Sequence, residues 1–165
     1  MLLEAYTFVH VLISLAGIFS GFIVLFGMFR AKPLPGWTAV FLITTVLTSV
    51  TGFFFPVHHI LPSHIVGIIS LVLLAIAIYA LYARHLAGIW RKVYVVTAVL
   101  ALYLNVFVGV VQSFLKIPTL KSLAPTQSEP PFKLTQLAVL ILFVVLIIAA
   151  AVKFRGEPVQ AEGTP

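Results

Sequence analysis

The chain has 165 residues, 62% of them hydrophobic and only 8% charged, with a mean hydropathy of +1.20. A soluble domain carries about 25% charged residues, so a soluble globular fold is excluded. With no cysteine, disulfides, thiol catalysis, thiolate metal sites and iron–sulfur ligation are excluded as well. The net charge of +6 does not point to nucleic acid, because no basic stripe with interleaved aromatic residues exists. All ten Lys and Arg lie in connections or at the ends of apolar runs, the pattern of a protein whose partner is the lipid bilayer.

Five apolar runs, over 5–29, 37–55, 64–82, 93–115 and 134–152, are each long enough to cross a hydrocarbon core of about 30 Å. Backbone groups in lipid must find partners within their own segment, and a closed barrel would show alternation instead. The pattern therefore predicts an all-α bundle of five transmembrane helices, one domain over 1–155, followed by a disordered polar tail over 156–165.

The first run opens with Glu4 rather than a basic segment and lacks a small-residue cleavage site, so it reads as a retained helix. His10, Ser14, Gly17 and Gly21 fall within about 60° of one another at 100° per residue. Gly17 and Gly21 form a G-x-x-x-G pair, which lets helices approach closely, so His10 is expected to point into the bundle. A Lys-Pro-Leu-Pro-Gly turn at 32–36 leads to the second run, where Thr45, Ser49 and Gly52 make a small polar stripe with Thr48 and Thr51 beside it.

The next connection, TGFFFPVHHILPSHIVG at 51–67, holds three of the five histidines, His58, His59 and His64. Pro62 and Ser63 read as the entry and N-cap of the third helix, with His64 in its first turn. His85, beside Arg84 at the far end of that helix, reads as an interfacial residue. On the fourth run Tyr94, Ala98, Ala101, Asn105 and Gln112 share a narrow face. A Pro-rich connection containing LAPTQSEPPF at 123–132 then leads to the fifth run. That last run is apolar all round apart from Thr135 and Gln136 and is expected to be peripheral and lipid-facing.

An N-out orientation places Arg30, Lys32, Arg84, Arg91, Lys92, Lys153 and Arg155 inside, against Lys116, Lys121 and Lys133 outside. The seven-to-three bias predicts a cytoplasmic C-terminus. It also places the intramembrane polar groups in the outer half.

Three chemistries suit that outer half, beside a plainer reading. Haem b needs two imidazoles on different helices with small residues beneath the porphyrin, and His10 with His64 supply such a pair. A metal ion is suited by nitrogen and oxygen donors, here His58, His59 and His64 with Glu129 or Glu4, although their spacing matches no established ligand motif. A quinone cavity needs hydrogen-bond donors for its carbonyls, which His10, Asn105 and Gln112 offer beside aromatic groups such as Tyr103. In the plainest reading, His58 and His59 sit at the membrane–water interface and Asn105 and Gln112 join helices to one another. Glu129 either sits on a lid near the histidines or stands at the start of the last helix, where Pro130 and Pro131 begin it.

The chain has no Asp, and G-x-S-x-G, H-E-x-x-H and phosphate-binding glycine loops are missing, so no enzyme class is indicated. No carboxylate lies within a span, which argues against a proton or cation relay. The expected role is an accessory one, with a protein partner in the membrane or a homo-oligomer. EAYTFVHVLISLAGIFSGF at 4–22, TGFFFPVHHILPSHIVGIISL at 51–71 and APTQSEPPF resemble small bacterial inner-membrane proteins without an established activity. The resemblance covers nearly the whole chain except the tail. It implies a cytoplasmic-membrane location and assigns no functional residues.

Overall fold

The computed structural model describes residues 1–55 and 62–155. Its elements are α1 (Leu2–Phe29), α2 (Pro35–Gly52), α3 (Pro62–Ile78), α4 (Trp90–Lys116), α5 (Pro118–Leu123) and α6 (Pro130–Lys153). Among the described residues, five helical stretches are long and apolar enough to cross a membrane, the third running from Ser63 to Ala83. The chain is thus a multi-pass membrane protein. At 1.5 Å per residue even the shortest spanning helix, 18 residues, covers about 27 Å.

The helices pack up and down. One end of the bundle carries the start of α1, the end of α2, the start of α3 and α5; the other carries the α1–α2 and α3–α4 connections and the end of α6. These are called here the first and second ends. α1 packs on α2, α4 and α6; α3 packs on α2 and α4; and α4 touches every other spanning helix. The core follows from that central place, with Val95, Ala98, Val99, Ala101 and Leu102 of α4 all buried. Phe41 and Leu42 of α2, Leu74 and Ala77 of α3, and Phe143 of α6 close around them.

The G-x-x-x-G pair lies at a close helix approach. A methyl group placed on Gly21 would meet Leu102 Cδ1 at 2.5 Å and the Phe41 ring at 2.9 Å, and one on Gly17 would meet Asn105, Thr44 and Thr45 at 3.2–3.3 Å. Both glycines are buried. α1 therefore meets α2 and α4 along its own smallest side chains, as expected from the α1 stripe. α6 is the outlier: Phe143 and Ala150 are its buried residues, while Leu137, Ile141, Val145, Ile148 and Val152 are all more than half exposed. Its predicted peripheral position is thereby borne out.

Three local features differ from the expectations. α3 begins at Pro62, so Ser63 lies inside its first turn rather than capping it; proline suits a first helical position because its missing N–H is not needed there. The far end of α3 widens into a π-helical turn, Tyr79–Ala83, in which Arg84 N–H donates to Tyr79 O at 3.0 Å. His85 and Leu86 then take positive φ angles of 47° and 57°, reversing the chain toward α4. The connection after α4 is also not all loop. Pro118 starts the short helix α5, where proline again sits at the first helical position.

Candidate functional site

α1 and α2 are joined at the first end of the bundle by a compact set of polar and aromatic groups. His10 Nδ1 lies 2.8 Å from Thr51 Oγ1, and the Tyr6 hydroxyl donates to Thr51 O at 2.6 Å. The Phe55 ring stands edge-on to both, 5.1 Å from the imidazole and 5.0 Å from the phenol ring. Tyr6 and His10 are four residues apart on one helical face, and each is half-buried.

Hydrogen-bond accounting orients the imidazole. The Thr51 hydroxyl has one proton, and it donates that proton back to Leu47 O at 2.6 Å. The hydroxyl oxygen is then the acceptor for His10, so Nδ1 carries the ring proton. In the neutral ring Nε2 is left with its lone pair, since the two nitrogens divide the donor and acceptor roles between them. The space beside the ring is open toward Gly52, where an added methyl group would lie 3.9 Å from His10 Cε1. A larger residue than glycine would narrow that side.

Deeper along the same seam lies a second polar contact. Asn105 Nδ2 donates to Thr45 Oγ1 at 3.3 Å, directly over Gly17. Thr45 and Thr51 are six residues apart, or about 9 Å along α2, so His10 and Asn105 occupy successive levels rather than one cluster. Ser49 then links α2 to α3 by donating to Ser70 Oγ at 3.2 Å, with both residues buried. Thr48 Oγ1, between these levels, is buried and has no hydrogen-bond partner among the described residues.

The remaining candidates fall in different places. Gln112 is exposed, where its α4 stripe emerges at the first end, and Tyr103 packs with tilted rings against Phe107 and Phe143 toward α6. His64 lies with its ring 5.5 Å from that of Phe53, on the helix across α2 from His10. His58 and His59 lie outside the described residues, and among the described ones no three His, Cys, Asp or Glu side chains gather to hold a metal ion.

Glu129 precedes α6 as its N-cap position, with Pro130 and Pro131 following it. Its carboxylate turns back into the connection, accepting from the Thr126 hydroxyl at 2.8 Å and from the Thr126 and Ser128 backbone N–H groups at 3.2 and 3.1 Å. Desolvation opposes ionisation of this carboxyl, but these hydrogen bonds outweigh it and hold its pKa below the ordinary 4.5. The connection is pinned to α4 by Gln127 Nε2, which donates to Val111 O at 2.9 Å. Gln136 Nε2, nearly two turns into α6, donates to Phe107 O at 3.2 Å. Gln136 thus works as a tie between α6 and α4.

Sequence reasoning passed over Tyr6 and Phe55. Tyr6 was detectable in principle, one helical turn before His10 on the same face; Phe55 was not, because it follows the end of α2 and its direction depends on how the chain leaves that helix. Comparison with known proteins adds no residue roles: no family model, no characterised protein and no solved structure matches the chain.

Proposed function

We propose that this chain is a non-enzymatic protein of the bacterial inner membrane, N-terminus outward, accessory to a larger membrane system, whose working surface is a polar pocket at the first end of the bundle. The observation that carries the reading is the 2.8 Å contact between His10 and Thr51. It fixes one ring nitrogen on α2 and leaves the other as an acceptor beside Gly52. Intramembrane ionisable side chains are costly and tend to serve a function. The basic residues support the orientation, seven at the second end against three at the first. The partner is a membrane protein or a second copy of this chain, and His10 Nε2 accepts a hydrogen bond from it.

The test is purification of the full chain in mild detergent, as wild type and as His10→Ala. A colourless particle larger than one chain, which falls to a single chain in His10→Ala, supports the reading. A particle whose size is indifferent to the substitution defeats it.

One observation favours a second reading, a redox-associated binder of haem b, a metal ion or a quinone using His10 and His64. A ligating histidine commonly donates its other ring N–H to a fixed acceptor, and Thr51 provides one. The same preparations decide this: a Soret band that disappears in His10→Ala establishes haem and displaces the accessory role.

A further inference from the structure

The second end of the bundle, opposite the His10 site, combines three features. The first is an apolar groove of about 340 Å³ between α2 and the end of α3. Ala39, Ile43 and Leu47 line its α2 side, and Ile78 and Tyr82 line the other. From Ala39 to Leu47 it follows α2 for about 12 Å at 1.5 Å per residue. It opens sideways, with Ile43 59% and Leu47 43% exposed, so hydrocarbon from the bilayer has direct access.

The second feature is a smaller cavity of about 110 Å³ at the end of the bundle, lined in part by Lys32, Thr38, Tyr94 and Tyr82. Tyr82 lines both, so the groove and the cavity lined by Lys32 are neighbours. The third is unbalanced charge. Seven Lys and Arg lie at this end, while the described carboxylates, Glu4 and Glu129, are both at the other. Arg30 lies over the Phe26 ring and Arg84 over Trp90, at 4.4 and 5.3 Å. Arg91 Nε is buried with no acceptor among the described residues, and buried donors ordinarily have one.

We propose that the α2–α3 groove and Lys32 form a site for one anionic phospholipid, with an acyl chain along the groove and the phosphate beside Lys32 within the basic collar. Any lipid tail fills the groove; Lys32, on the neighbouring cavity, selects the charge. Basic pockets between spanning helices bind anionic head groups in this manner, each cation contributing about a fivefold gain in affinity. The site lies at the other end of the bundle from His10 and does not depend on the accessory role.

The experiment is native mass spectrometry and thermal unfolding of the full chain in detergent, titrated with phosphatidylglycerol or with phosphatidylcholine of the same chains. The expected result is one retained phosphatidylglycerol, with a higher unfolding temperature than phosphatidylcholine gives. Lys32→Gln lowers phosphatidylglycerol affinity about fivefold and leaves phosphatidylcholine unchanged, whereas Ile43→Trp, which fills the open groove, weakens both. Equal retention of the two lipids, with no effect of Lys32→Gln, overturns the proposal. So does equal stabilisation by inorganic phosphate alone, which would mark a simple anion site. A preference for phosphatidylglycerol seen only in the Glu157→Gln/Glu162→Gln chain would also overturn it, because the tail's own carboxylates would then be the partners of the collar.

Discussion

Replacing Thr51 with valine keeps the shape of the side chain and exchanges its hydroxyl for a methyl group. The 2.8 Å contact with His10 is lost, while the Tyr6 bond persists because it ends on the backbone oxygen of residue 51. The back-bond to Leu47 O is local to α2, and its loss separates no helices. Interhelical hydrogen bonds in membranes contribute about 0.6 kcal/mol on average and up to about 1.7 kcal/mol. His10 is half-buried and the contact is short, so a cost near 1 kcal/mol is expected, about a fivefold change in the unfolding equilibrium. A double-mutant cycle with Thr51→Val and His10→Ala, followed by unfolding in mixed micelles, isolates the coupling. Nitrogen NMR of the labelled ring checks the same assignment and should show the proton on Nδ1. Additive costs within 0.3 kcal/mol, of the order seen for independent sites, together with a proton on Nε2, would refute the hydrogen-bond accounting.

Gly21→Ala should cost about 1–3 kcal/mol as an overpacked contact, because its methyl group meets Leu102 at 2.5 Å, whereas Gly36→Ala meets nothing within 4 Å and should stabilise by up to about 1 kcal/mol through helix propensity; unfolding of the two variants beside wild type gives the comparison. The lowered pKa of Glu129 means that its contribution to ordering the 126–129 turn is complete above the unfolded-state value and disappears as pH falls through the lower folded-state value. Amide exchange at Thr126 and Ser128 should therefore lose protection on acidification below about pH 4.5, and Glu129→Gln should abolish that pH dependence. Because the chain has no cysteine, single cysteines placed at Ser122 and Lys92 can be labelled without background. They should react with an impermeant reagent from opposite sides of the membrane, Ser122 from outside, and reaction from the same side would remove the five-span topology.

The number and rough placement of the spans were legible in the sequence because lipid imposes a long apolar run on each crossing helix, and charge is confined to the ends. The inward faces of α1 and α2 were legible for a related reason: Gly17, Gly21, Thr45 and Ser49 recur at helical spacing, and small residues mark close approach. Tertiary structure decided which side chains on those faces meet. His10 and Asn105 share the same general seam in sequence terms, yet one bonds Thr51 and the other Thr45, because the relative slide of α1 and α4 along α2 sets the level of each contact. The edge-on Phe55, the tie from Gln136 to α4 and the π-helical end of α3 were equally beyond periodicity, which assigns a residue to a face but says nothing of how a helix terminates or what stands opposite. Apolar patterning is a property of each segment by itself; register between segments comes only from packing them together.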